Sequence, residues 1–266
     1  MQITLFIILF ILGACFGSFL CCQARRLKLK ETHHKSLGKR SVCLNCKTKL
    51  KWYENLPIFS WLFLKGKCRH CDKKIGLTEI LSELGLALAF LALGTTIDIT
   101  SASLVEWLIF GFTLVFTLSL GFLAIYDGTY GELPMPFLIL SIILAVIILG
   151  LKEWFWLSTS AFSADFILNP LFSVLILGGL YLVLYLISKG KWVGDGDWLL
   201  GLSIGLALAI PWLALITLFL ANLFACLVML PVVKKSKNRR IYFGPFLVIA
   251  FIVTTSLPSC VIISLW

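Results

Sequence analysis

The chain has 266 residues, 60% of them hydrophobic and only 14% charged, with a mean hydropathy of +1.00 and a net charge of +10. That balance excludes an ordinary water-soluble domain. The positive excess calls for no nucleic-acid partner, because orientation signals and contacts with anionic membrane lipid account for it.

A helix needs roughly 20 apolar residues to cross a bilayer core. The first such run, residues 3–22, has no basic stretch before it and no small-residue cleavage site after it, so a retained span is expected rather than a removed signal. Residues 80–97, 104–125, 135–151 and 166–188 follow. Residues 198–233 are too many for one crossing and include Pro211, so two short spans joined there are expected. Residues 243–266 complete the set. The expected fold class is an all-α polytopic membrane protein of about eight transmembrane helices.

Of the 23 Lys and Arg residues, fifteen lie between positions 25 and 74, two at Lys189 and Lys191, and five between positions 234 and 240. The alternate loops hold only Lys152. With eight spans the basic loops share one side, which the positive-inside rule makes cytoplasmic, with both termini extracytoplasmic. The expected division is a first transmembrane helix (1–22), a small cytoplasmic domain (23–79) and a membrane core (80–266).

A cytoplasmic segment of that size buries little apolar surface and needs a metal, a disulfide or a neighbouring surface to hold one structure. Its cysteines supply a candidate. Cys43 and Cys46, then Cys68 and Cys71, form two CxxC pairs with 21 residues between them, a spacing that suits four thiolates around one structural Zn²⁺. Lys47, Lys67 and Arg69 favour the thiolate form. Two disulfides or four free thiols are the alternatives, disfavoured by a reducing cytoplasm. His34 and His70 read more simply as surface histidines than as ligands. Cys15, Cys21, Cys22, Cys226 and Cys260 read as small packing residues of the apolar spans.

Acidic residues at membrane depth are costly and therefore informative. Glu83, Asp127, Glu132, Asp195 and Asp197 lie in the apolar spans or at their cytoplasmic ends. Asp127 ends the third span and Asp197 opens the sixth, at matched depth. Two carboxylates that meet there can share one proton, one activating water while the other acts as acid, with no metal required. Singly, Asp197 also reads as a helix N-cap and Asp127 as an interfacial charge. A non-enzymatic transporter or assembly factor that uses the same carboxylates for protons or ions is the rival reading. The sequence lacks the two hydropathy-matched halves that would strengthen it.

Asp127 with Leu133-Pro134 beyond it, and Gly194-Asp195-Gly196-Asp197, resemble the two active-site motifs of the type IV prepilin leader peptidases, the GxGD intramembrane aspartyl peptidases. The likeness extends to Gly17-Ser18-Phe19-Leu20, Arg40-Ser41, Trp52-Tyr53-Glu54-Asn55-Leu56-Pro57, Ser60-Trp61-Leu62 and Gly66-Lys67-Cys68-Arg69. Glu83 matches a glutamate a dozen residues past the last cysteine. Gly76-Leu77-Thr78, Met135 and Leu199 depart from the family pattern.

The resemblance implies an endopeptidase of the bacterial cytoplasmic membrane, with Asp127 and Asp197 catalytic and Gly194 and Gly196 supporting the motif. Its substrates would be type IV prepilins or pseudopilins, cut at the cytoplasmic face. It further implies S-adenosylmethionine-dependent N-methylation of the new N-terminus, assigned to the cysteine-bearing segment and nearby helices, with Glu83 a candidate substrate or methyltransferase residue. The oligomeric state is not implied.

Overall fold

The structure, a computed structural model, describes residues 2–31, 41–43, 45–159, 165–190, 193–233 and 242–257. The chain is helical and multi-pass. Among the described residues six helices are long and apolar enough to cross a membrane, and two shorter apolar helices accompany them. The chain divides into two compact units, Met1–Gly94 and Thr95–Trp266.

The first unit is built on α1 (Gln2–Glu31) and α3 (Leu77–Gly94), with the short α2 (Phe59–Phe63) between them in sequence. At 1.5 Å per residue α1 is about 45 Å long, more than a bilayer core requires. Its last turns carry Arg25, Arg26 and Lys28, so the helix continues well past the end of its apolar run at Cys22. Gly13 and Gly17, four apart on one face, let α1 and α3 touch backbone to backbone. A Cβ at Gly13 would lie 2.5 Å from the Leu86 carbonyl oxygen, and one at Gly17 would collide with that of Ser82. Small residues at this spacing are how membrane helices approach closely when no hydrophobic force drives them together. An ion pair between Arg25 and Glu79 ties the polar end of α1 to the first turn of α3.

The second unit holds α4 (Leu104–Tyr130), α5 (Met135–Thr159), α6 (Asp165–Val174), α7 (Leu180–Ser188), α8 (Asp197–Leu208), α9 (Pro211–Val233) and α10 (Gly244–Thr255). Ser103 and Glu106 form a reciprocal capping box at the start of α4. Gly131, at φ 71°, ends that helix. A π-helical turn, Leu175–Gly179, joins α6 to α7. The break between α8 and α9 falls just before Pro211, where the sequence places it.

The 12-residue α8 is the hub of this unit, packing against α5, α6, α7, α9, α10 and the π turn. Gly201 and Gly205 bring it against the Leu177 and Ser173 carbonyls, and the Ser173 hydroxyl donates to the Gly205 carbonyl at 2.8 Å. Phe116, Leu120, Leu138, Ile204, Leu247 and Phe251 fill the core around it. Outward faces are apolar, as lipid requires, with Ile139, Ile143 and Val146 of α5 all exposed.

Several details differ from the sequence-based expectation. Lys152 is not in a loop, because α5 runs on through it to Thr159. Its ammonium donates to the Ala207 carbonyl at 2.6 Å, so it serves the C-terminal end of α8, where a cation is favourable. Helices α8 and α10, at 12 residues each, are about 18 Å long and fall short of a full crossing over their described lengths. The remainder of the expected last span, with Cys260, lies outside the described residues, as does His34. Cys15 and Cys226 are exposed rather than packed, whereas Cys21 is buried.

The glycine contact in the first unit generates a prediction. Gly17→Leu forces backbone apart and is expected to cost at least about 1–3 kcal/mol, as overpacking does. Gly85→Leu on α3, where nothing lies within 4 Å of an added Cβ, is expected to be tolerated. Thermal unfolding in detergent compares the two; equal midpoints would refute the contact.

Candidate functional site

Four carboxylates are buried among the described residues: Glu54 and Glu83 in the first unit, Asp127 and Asp197 in the second. Asp195 and Glu132, weighed alongside them in the sequence, are exposed.

Asp127 sits one turn before the end of α4, and its carbonyl accepts from the Gly131 amide at 2.7 Å. Its side chain crosses to α10, where Oδ2 accepts from the Gly244 N–H at 3.0 Å. Gly244 opens that helix, so the carboxylate meets free N-terminal amides, the end of a helix that favours an anion. A Cβ there would lie 2.8 Å from Asp127 Oδ2, so any larger residue would push the carboxylate from its place. The position of Asp127 near the negative end of α4 is thereby offset by the positive end of α10.

Asp197 is the first residue of α8 and closes a tight turn on its own motif. Its Oδ2 accepts from the Gly194 N–H at 2.9 Å, and its N–H donates to the Gly194 carbonyl at 3.2 Å. Gly196 has a different task, because a Cβ there would lie 2.6 Å from the Leu133 Cβ. The GxGD turn therefore rests directly on the segment that follows α4. Asp127 is 6% exposed and Asp197 7%. The structure thus buries both carboxylates in the same unit, each accepting from a glycine amide.

The four cysteines of the first unit also converge. All four sulfurs lie within 4.8 Å of one another, with Cys43 to Cys71 at 3.9 Å and Cys46 to Cys68 at 4.0 Å. A disulfide needs about 2.05 Å. A tetrahedron with zinc–sulfur bonds of about 2.3 Å has edges of about 3.8 Å, close to these separations.

Two equivalent knuckles present the ligands. The Cys43 carbonyl accepts from the Lys47 amide at 2.9 Å, and the Cys68 carbonyl accepts from the Asp72 amide at 3.0 Å. Lys47 at φ 55° and Asp72 at φ 53° make the matching left-handed turns. The Thr48 hydroxyl, 3.3 Å from Cys46 Sγ, pulls that thiol down to about 6, and the Lys73 amide lowers Cys71. Burial acts the other way on Cys68, whose thiol stands up at about 11 although the His70 amide pulls it down.

Beside the knuckles lies a cavity of about 650 Å³ whose walls include Ser18, Arg25, Glu54, Trp61, Cys68 and Glu83. Glu83 Oε2 accepts from the Ile58 amide at 2.7 Å. Ile58 stands at φ 64°, a conformation a β-branched residue rarely adopts, so Glu83 pins a strained turn in the cavity wall. Glu54 Oε2 accepts from the Lys51 amide at 2.8 Å, while its Oε1 is buried without a hydrogen bond, 3.7 Å from His70. The Trp61 indole N–H is likewise buried and unpartnered. In the sequence Glu54 and Trp61 stand out only through motif resemblance, with no role attached to either.

Fold and site together define a polytopic helical membrane protein with a buried pair of aspartates and a four-cysteine cluster. Residues 11–97 match the family model described as the bacterial peptidase A24 N-terminal domain. The prepilin leader peptidase/N-methyltransferase of Dichelobacter nodosus is 32% identical over 214 residues, covering 79% of this chain and 68% of its own. That of Pseudomonas putida is 27% identical, covering 90% and 86%. That of Vibrio cholerae is 39% identical over 79 residues, 29% of this chain, which in this match spans about a third (31%) of the relative's length. No solved structure matches. The chain belongs to the prepilin leader peptidase/N-methyltransferase family.

The cysteine geometry fits one zinc per chain. Metal analysis of the purified protein is expected to give that ratio, and Cys68→Ser to lower it well below one. Removal of the metal is expected to expose residues 47–67 to proteolysis while helix content is kept, because ligand binding energy is folding energy for so small a segment. Reduced, active protein without zinc would count against this site.

Proposed function

We propose that the chain is an intramembrane aspartic endopeptidase that cleaves the basic leader from type IV prepilins or pseudopilins at the cytoplasmic face of the membrane. The observation that carries this reading is the burial of Asp127 and Asp197 together, each on a glycine amide, in a unit with no other buried carboxylate among the described residues. In the reaction one carboxylate takes a proton from water as its oxygen attacks the scissile carbonyl carbon. The other carboxyl gives its proton to the carbonyl oxygen. Collapse of the tetrahedral intermediate breaks the C–N bond, the amine leaves with a proton from the first aspartate, and the second aspartate takes back a hydroxyl proton of the intermediate as the carbonyl re-forms. Residues 1–22 serve as the first span, 23–79 as a zinc-held domain and 80–266 as the peptidase core, in a membrane whose basic loops face the cytoplasm.

The second part of the proposal is N-methylation of the new N-terminus, with the cavity of the first unit as donor site. S-adenosylmethionine, when bound, supplies a methyl group activated on a cationic sulfur. The cavity has room for it, and its unpartnered groups suit it, since Glu54 Oε1 offers negative charge and the Trp61 N–H a donor. Glu83 supports that wall through Ile58.

Co-expression with pilin-like proteins of the same organism, followed by mass measurement of their N-termini, tests both activities. Asp127→Asn and Asp197→Asn are expected to abolish cleavage in a folded protein, and Asp195→Asn to have little effect. Loss with Asp195→Asn and retention with Asp197→Asn would overturn the assignment. For the cavity, calorimetry with S-adenosylmethionine is expected to show roughly 10- to 100-fold weaker binding in Glu54→Gln, the range for a lost hydrogen bond to a charged group. Unaltered affinity would remove Glu54 from the donor site.

A further inference from the structure

One buried polar group of the second unit is explained neither by packing nor by the aspartate pair. Tyr181, in the first turn of α7, is 4% exposed, and its hydroxyl makes no hydrogen bond. The Asn222 side-chain amide is a neighbour outside hydrogen-bond distance of the hydroxyl, and its nitrogen donates to the Leu218 carbonyl at 2.8 Å. A ring needed only for packing would be served better by phenylalanine, because a buried hydroxyl left unpaired is destabilising. Among the described residues the other buried side-chain atoms in this condition are Glu54 Oε1 and Trp61 Nε1, both walls of the cavity in the first unit.

The ring of Tyr181 is fixed by the same elements that hold the aspartates. It lies against Gly201, one turn beyond Asp197 on α8, where a Cβ would approach Tyr181 Cδ2 to 3.2 Å. Its centroid is 5.2 Å from that of Phe243, the residue before the Gly244 amide that binds Asp127. The π turn Leu175–Gly179 ends just before Tyr181, and its extra residue resets which side of α7 faces α8. Such turns recur at functional sites.

We infer that Tyr181 is a third catalytic group of the peptidase site, its hydroxyl donating a hydrogen bond to the scissile carbonyl oxygen as that oxygen gains negative charge. The inference rests on the reading of Asp127 and Asp197 as the peptidase pair. Tyr181 keeps its proton throughout. The carbon–oxygen bond to water forms as the carbonyl π pair moves to oxygen, and the aspartates carry the protons. The hydroxyl is unpartnered in the free protein because its partner arrives with the substrate, and a donor pre-set for the transition state needs no reorganisation.

Tyr181→Phe keeps the ring and removes only the oxygen. In single-substrate kinetics on a prepilin peptide, kcat is expected to fall about 10²-fold with KM nearly constant. The unfolding midpoint is expected to stay equal or rise. Affinity for a statine-containing peptide, whose hydroxyl imitates the tetrahedral intermediate, is expected to fall in parallel with kcat. Wild-type kcat in Tyr181→Phe would overturn the inference. So would a loss of kcat that comes with a lower midpoint, or one that leaves statine affinity unchanged, since the hydroxyl would then be structural. Asp127→Asn and Asp197→Asn run alongside: cleavage by either would refute the pair itself, whereas inactive aspartate variants beside a fully active Tyr181→Phe would refute Tyr181 alone.

Discussion

A carboxylate enclosed by hydrocarbon must find hydrogen-bond donors, and in this protein backbone amides supply them at the three buried acids outside the cysteine-bearing segment. Asp127 takes the Gly244 amide, Asp197 that of Gly194, and Glu83 that of Ile58. An amide donor carries no counter-charge, so the acid is held in place without being neutralised by a cation. The requirement fixes much else. Gly244 must open α10 where α4 is about to end, Gly196 must lie on Leu133, and α8 must start at Asp197.

The two ends of α8 show how this requirement spreads through the second unit. At its start the helix presents an acid, where free amides favour negative charge, and at its other end the Lys152 ammonium meets the Ala207 carbonyl. Both charges thus agree with the direction of the helix. Glycines along α8 let the neighbouring backbones close on it, so the aspartate is carried by a short rod gripped on several sides. That is the rigidity needed to hold a buried acid in one place.

The positions of the helices are legible in the sequence because lipid imposes both length and apolarity. Their ends are less so. Hydropathy sees α1 stop at Cys22 and α5 at Leu151, yet a helix continues into polar residues as long as nothing breaks it, and here it runs to Glu31 and Thr159. The cysteine knuckles can be read from spacing, whereas the tuning of Cys46 by Thr48 depends on a turn that spacing does not describe. Gly13 and Gly17 carry a readable signal, two glycines four apart in an apolar run, which hydropathy alone does not use. Tyr181 carries none, because a tyrosine within an apolar span looks like any aromatic until the absence of a partner for its hydroxyl is seen.

The two knuckles have a further consequence for the chain between them. Cys46 and Cys68 are the ends of one excursion, and Glu54 and Trp61 both lie within it. With zinc at the four sulfurs that stretch is a closed ring whose ends are pinned to a single point, and the entropy of closing it is met by the metal. Without zinc the same stretch is an open strap, free to sample many more shapes, and two walls of the cavity go with it. Metal occupancy and pocket shape are therefore one thermodynamic variable, so the affinity of any ligand of that cavity would report the zinc content of its surroundings.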